Sequence, residues 1–428
     1  MLDFTVCNPV SSPDPPFDLN DDQERALSKI EKFLTNRSAG RQFGLFGAAG
    51  TGKTTVIGRL FNRRSESIAL SAPTHKATGV LAEKAPPGAD CHTIHRLLGC
   101  KKHYDKTTGE VEFLPTPGKE SIGEYDAVVI DECSMIGERM YGWIQDALER
   151  NPYTRIIFLG DPYQLPPVND GEHSPTFDVP SVELTEIMRH DGPIQSVCDA
   201  VREAMINSDP PPFPEPNGTE IIGHNNTEED MAEFFDRFVD GENSAKILAF
   251  KNDDVDFCNG YVRKLKYGAR AGEEPFIVGE RLVIVNTYEP PTTGGIYHTG
   301  TECEVLEVDT VLREGLQCFK LYVETPGGEQ FESFAFGTAD QRSAYVEKIR
   351  RLKSEAKSGG SWRRYFEVKE TFARLRPGYA TTIHRAQGST YDRVFLLQSE
   401  LRGLWDKDLL ARLLYVAISR ASKRLIVI

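Results

Sequence analysis

The chain has 428 residues, 39% of them hydrophobic and 27% charged, which is the balance of a globular protein of two to four domains. Its net charge of −14, taken alone, disfavours a nucleic-acid partner. No run of 18 apolar residues exists to cross a bilayer, and Met1–Leu19 has Pro and Asp where a secretory leader needs a basic start and an apolar stretch. A flexible lead-in to a cytoplasmic protein is the expectation. The eight cysteines are scattered without a C-x-x-C pair, so reduced thiols are expected rather than a zinc site or a disulfide framework.

Four apolar β-rich runs open the chain, at Gln42–Gly47, Ser67–Ser71, Asp126–Ile130 and Arg155–Leu159. Each reads as a strand buried on both faces. Helical patterns at Asp21–Leu34 and Lys53–Asn62 lie before or between them, so the sequence predicts a parallel sheet covered by helices. An insertion at about 90–122 separates the second and third runs. Within it His103–Phe113 reads as a hairpin with Asp105–Gly109 as its turn. A second α/β pattern begins near 184, with strands at Lys246–Phe250, Val394–Leu397 and Arg424–Ile428. Alternating segments at Arg281–Val285, Glu304–Val308 and Phe319–Val323 predict a small barrel within 279–336. A basic helical stretch, 337–372, breaks at Ser358–Ser361 and reads as a helical hairpin.

Charge is unevenly spread. Residues 215–256 hold twelve acidic and three basic side chains, whereas 337–376 hold eleven basic and five acidic. A polyanion would therefore meet a local basic surface on an acidic protein.

The first apolar run delivers Gly47, Ala48, Ala49, Gly50, Thr51, Gly52, Lys53 and Thr54, followed by Thr55, between a strand and a helix. Glycines there let backbone amides approach phosphate oxygens, and the helix N-terminus adds its dipole. Lys53 is suited to the β- and γ-phosphates of ATP and the Thr54 hydroxyl to Mg²⁺. The third run delivers Asp131 and Glu132. Asp131 suits the metal, directly or through water, and Glu132 suits activation of the attacking water. The fourth delivers Gln164, an amide able to bond both that water and the γ-phosphate.

Taken in order, these motifs resemble the superfamily 1B DNA helicases, the RecD/Dda/PIF-like group, and look most like its phage Dda type. Leu19–Gln23 is similar to the Q motif, in which Gln23 would read adenine. Ala72–Lys76, Thr93–His95, Leu184–Arg189, Thr382–Gly388 and Leu414–Arg420 resemble motifs Ia, Ib, IV, V and VI. Arg385 stands where motif V usually has Lys. The resemblance implies two RecA-like domains: 1–183, bearing the hairpin insertion, and 184–278 with 377–428. A domain inserted at 279–376 carries a barrel like a Src-homology-3 fold and the helical hairpin. It also implies ATP hydrolysis between the halves and 5′-to-3′ translocation on single-stranded DNA.

Arginines supplied across such a cleft neutralise charge built on the γ-phosphate, worth about 10³–10⁵ in rate. Arg189 and Arg420 are the candidates, with Gln387 and Gly388 also facing nucleotide. By resemblance Pro73, Thr74, His75, Thr93, His95, Thr382 and His384 line the strand track. Phe113, with Tyr104 as second candidate, matches the strand-separating pin, and Trp362, Tyr365 and Phe366 would dock it or pack their own hairpin. Partners implied are single-stranded and forked DNA, with single-strand-binding or replisome proteins, and the chain would act as a monomer in replication, recombination or repair. Two rivals remain at this point: a translocase or RNA helicase that opens little DNA duplex, and a nucleotide-regulated DNA-binding or recombination module.

Overall fold

The computed structural model describes residues 19–36, 38, 40–63, 67–168, 170–186, 192–223, 228–239, 245–291 and 295–428. Two parallel sheets dominate it. The first runs in the spatial order Asp90–Thr93, Ile68–Ala72, Ala127–Ile130, Arg155–Gly160, Gln42–Gly47, Ser181–Leu184. Every residue of Ile68–Ala72, Ala127–Ile130 and Arg155–Gly160 is buried, as expected where helices cover both faces. One apolar layer forms under helix Asp21–Thr35, which buries Ala26, Leu27, Ile30 and Phe33 at helical spacing. A second lies under helix Glu138–Arg150.

Two short strands carry this sheet beyond the elements predicted for it. Ser181–Leu184 pairs with Gln42–Gly47, taking the sheet past residue 183. Asp90–Thr93 pairs with Ile68–Ala72, so Thr93 and His95 stand on the main sheet's edge rather than on the insertion. Both are four-residue edge strands with no continuous apolar run, which leaves them little periodicity to betray them. The hairpin itself pairs Cys100–Tyr104 with Val111–Pro115, and bonds from Thr116 to Gly99 and from Ser121 to Leu97 close its base.

The second sheet has the order Ala380–Thr382, Ala245–Ala249, Tyr391–Leu396, Ala421–Val427, Ile221–Gly223, again all parallel. Its central helix, Lys407–Ser419, buries every position from Leu410 to Ile418 apart from Arg412. The expected barrel is a five-stranded antiparallel sheet, Gln330–Ala335, Leu316–Glu324, Glu302–Arg313, Arg281–Ile284 and Leu375–Pro377 in spatial order. It curls enough that the Ala373 amide donates to the Phe334 carbonyl at 2.8 Å. The helices Ala339–Lys357 and Trp362–Thr371 pack on it through Tyr345, Ile349, Leu352, Val368 and Phe372. Much of their basic charge is spent locally, on pairs such as Arg363–Glu367 and Lys348 with Arg364 on Glu314. Among the described residues no helix is long and apolar enough to cross a membrane.

Candidate functional site

The motifs predicted for phosphate chemistry meet at the carboxyl ends of the first sheet, where open α/β sheets bind ligands. Gly50 and Gly52 of the loop take φ of 90° and 84°, a region that L side chains rarely adopt. A Cβ on Gly52 would also lie 2.3 Å from the Gln23 amide nitrogen, so only glycine fits. Lys53 turns its ammonium back over the loop, donating to the Gly47 carbonyl at 2.6 Å and the Ala48 carbonyl at 3.0 Å.

Asp131 and Glu132 follow the buried strand Ala127–Ile130 into the same cleft, of about 140 Å³. Glu132 has φ 52° and ψ 41°, a left-handed conformation costing on the order of 1–3 kcal/mol in a non-glycine residue. Such strain aims a side chain. Burial, then the neighbouring Asp131 charge, pushes the Glu132 carboxyl up to about 7, with Arg420 and Lys53 opposing. Burial likewise raises Asp131, against the Glu132 amide that donates to it and the Lys53 charge. Two carboxyls resisting ionisation beside the Thr54 hydroxyl fit a divalent cation, whose charge would restore both carboxylates.

The second domain supplies the facing wall. Arg420 and Gly388 line the cleft opposite Lys53 and Glu132. Arg420 is 5% exposed and held by its own domain, donating to the Val416 and Ser389 carbonyls at 3.2 and 3.0 Å. Gly388, at φ 76°, lies so close that a Cβ there would stand 3.5 Å from Glu132 Oε1.

Three further side chains bridge the cleft. The Tyr415 hydroxyl donates to Asp161 at 2.6 Å and accepts from the Ala49 amide at 3.3 Å. Arg412 donates to the carbonyls of Pro162 and Gln164, both at 2.8 Å. Gln387 donates to the Gln164 side chain at 3.0 Å and to Ser134 at 2.9 Å. Arg412 and Tyr415 were missed by the sequence reading. The available signal was two long polar side chains, three positions apart, in an otherwise apolar helix.

Other predicted residues are placed differently. Gln23, expected at adenine, is 4% exposed; its oxygen accepts from the Asn20 amide and its nitrogen donates to the Thr51 carbonyl. It completes the cap of helix Asp21–Thr35. Ala49, Gly50, Lys53 and Thr54 line the cleft, while Gly47, Ala48, Thr51, Gly52 and Thr55 do not. Arg189 lies outside the described residues.

A second cavity, of about 810 Å³, crosses both parallel domains and the inserted one. Pro73, Thr74, His75, Thr93, His95, Phe113 and His384 all line it. Thr382 does not: it is buried, and its hydroxyl accepts from the Arg385 amide to start a short helix. Thr74 and Thr93 cap helices in the same way while keeping an edge on the cavity. Seven cations face this space, Lys76, Arg96, Lys101, Lys119, Lys246, Arg376 and Arg385, against one carboxylate, Glu302, which is tied to Lys246 at 2.8 Å. On a chain of net charge −14, so lopsided a lining marks a path for a polyanion. Gln387 belongs to this lining too, so one side chain joins the larger cavity to the smaller cleft.

Phe113 sits on the hairpin, 41% exposed at the channel edge. Tyr104 is occupied otherwise: its ring lies 4.6 Å from Phe366 and its hydroxyl donates to Glu370 at 3.4 Å. The hairpin tip is gripped at Gly109, whose carbonyl accepts from the Tyr365 hydroxyl at 3.1 Å and from Lys369 at 2.8 Å. Lys102 adds ion pairs to Glu289 and Glu370. Trp362 stacks on Phe366, Tyr365 meets both rings edge-on, and the cluster faces this tip, so the helical hairpin docks the β-hairpin besides packing on its own sheet.

Residues 18–208 match a family model described as an AAA domain, and residues 377–428 one described as a UvrD-like helicase C-terminal domain. The chain is 26% identical to the ATP-dependent DNA helicase dda of Enterobacteria phage T4, over 94% of this chain and 97% of that one. It is 31% identical to the ATP-dependent RecD2 DNA helicase of Deinococcus radiodurans over 39% of this chain and 22% of the relative. The fold is that of Pif1 helicases. A Bacteroides Pif1 structure with ADP-AlF3 and single-stranded DNA aligns at TM-score 0.53 and 18% identity, covering 94% of this chain and 91% of that one. With the two family models falling on the two parallel domains and the similarity to the phage helicase running over nearly the whole of both chains, the comparisons support a superfamily 1B helicase of Dda-like type.

Proposed function

We propose that this ATP-driven helicase moves 5′ to 3′ along single-stranded DNA and parts the duplex on Phe113. The observation that carries the reading is the channel: seven cations against one carboxylate, spanning both motor domains and sharing Gln387 with the nucleotide cleft. A strand held by both domains advances when the cleft between them closes and reopens.

Lys53 and the loop amides hold the ATP phosphates, and Glu132 orients and deprotonates the attacking water. Burial raises the Glu132 carboxyl, and the charge of a divalent cation beside it would favour the ionised form that a base needs. Mg²⁺ held by Thr54 and Asp131 would screen the phosphate oxygens. Arg420 brings its charge from the second domain, and Arg189 is the proposed second cation. Closure is reported across the cleft by Tyr415 on the loop, Arg412 on the Gln164 turn and Gln387 on Gln164 itself. Gln387 also faces the strand, so ATP status at Gln164 can reach the DNA grip through one amide.

The inserted domain, proposed as a barrel of Src-homology-3 type, holds the pin over the strand through Gly109, Tyr104 and Lys102. A monomer carries every element of this scheme. Single-stranded and forked DNA are the proposed substrates, with single-strand-binding or replisome proteins as proposed partners in the cytoplasm. Strand displacement on partial duplexes with 5′ or 3′ tails tests the proposal. Displacement from 5′ tails is expected; displacement only from 3′ tails would reverse the polarity, and ATP hydrolysis with none from either would leave a translocase.

A further inference from the structure

Across the strand channel two imidazole rings meet. His75, from the first domain, and His298, from the inserted domain, stack with centroids 3.1 Å apart and planes 5° from parallel. We propose that these rings form a base-stacking clasp: a nucleobase of the bound strand parts them and stacks on the imidazole faces so exposed. The inference rests on the reading of this channel as the single-strand path and adds a residue, His298, that no motif pointed to.

Both rings have rigid mounts. His75 is the first residue of helix His75–Lys84, capped by Thr74. His298 follows Tyr297, which is buried, stacked on Phe331 at 3.5 Å, and paired with Tyr288 by two backbone hydrogen bonds. The His298 carbonyl is itself fixed by the Thr301 amide at 3.0 Å. At 3.1 Å nothing fits between the rings, whereas a stacked base occupies about 3.4 Å. Strand entry must therefore part the two rings at this point. Ring-on-ring stacking is then exchanged for ring-on-base stacking, an interaction of the same kind, so the opening is offset where it occurs.

The surroundings suit a nucleotide rather than a free aromatic ligand. Lys76 adjoins His75 in the channel lining, placing a cation for phosphate beside the π-face for base, and Ile296 adds an apolar edge next to His298. Burial lowers both imidazole pKa values, that of His75 to about 4, with His298 and His95 adding to the effect. The rings are thus neutral at physiological pH, which suits stacking without repulsion. Glu289 is the acidic group whose charge acts on His298 in the opposite sense.

The test is anisotropy binding of a short oligothymidylate, intact or with a single abasic position moved along it. The native protein is expected to bind about tenfold more weakly when the abasic position falls at the clasp. His298→Ala is expected to weaken the intact strand by a similar factor and to erase the positional dependence, and His298→Phe to restore both. Wild-type positional dependence surviving in His298→Ala overturns the clasp, as does failure of His298→Phe to restore binding. Native protein that binds strands with no positional dependence also overturns the clasp alone. Native protein that binds no single strand at all overturns the channel reading on which it rests.

Discussion

Replacing Phe113 with Ala isolates the work of strand separation from that of translocation. The ring is 41% exposed and the hairpin is held elsewhere, through Gly109, Tyr104 and Lys102, so truncation should leave the fold within about 0.5 kcal/mol of native. Opening one base-pair step costs about 1.4 kcal/mol on average. An aromatic platform returns roughly 1–3 kcal/mol per base. Removing it therefore withdraws the whole compensation for a step, about tenfold in the fraction of time that the junction is open. Single-turnover displacement of a forked duplex should slow by about tenfold, and more on G·C-rich forks. DNA-stimulated ATPase, which needs only the channel and the cleft, should change by less than about twofold. Unwinding at the native rate with matched ATPase would refute the assignment of the pin.

Gly109→Val should release the same hairpin from above, since a Cβ there would stand 3.1 Å from the Tyr365 hydroxyl and 3.2 Å from Trp362, at φ 72°. The expected result in the same fork assay is loss of unwinding with ATPase retained. Glu132→Gln should keep ATP binding, measured by a fluorescent analogue, while turnover falls by at least about a hundredfold; retained turnover would remove Glu132 from the mechanism. Tyr415→Phe deletes the hydroxyl between Asp161 and the Ala49 amide and should cost about 1–3 kcal/mol in thermal stability along with a lower kcat. The native state holds His75 neutral, at about 4 against an ordinary 6.5. The unfolded chain thus takes up protons first as pH falls, so this contribution to stability is full above about 6.5 and declines from there toward 4. Melting followed between pH 7.5 and 5 should fall less steeply for His75→Ala than for the native chain.

Local chemistry was legible in the sequence alone. A glycine loop between strand and helix, acidic residues at a strand end and a glutamine after the next strand are each defined by neighbours a few residues away. Spacing therefore suffices to place Lys53, Asp131, Glu132 and Gln164. The two parallel sheets were legible because buried strands are continuous apolar runs, and the hairpin because the Asp105–Gly109 turn punctuates two strands with no buried residue. A short edge strand such as Ser181–Leu184 was not, since half of its residues face solvent.

What only the tertiary structure decided lies between segments distant in the chain. Phe113 and Tyr104 are both aromatic residues on one hairpin. Residue type could not say that Tyr104 is consumed by Phe366, some 260 positions on, while Phe113 stays at the channel. Gln23 looked free to meet adenine until the loop at Thr51 claimed its amide. Tyr415, Arg412 and His298 acquire meaning only from the surfaces they face. Periodicity and motif spacing encode what a residue does within its own element. Which surface that element meets is set by how the two parallel domains and the inserted one pack, and no local pattern records it.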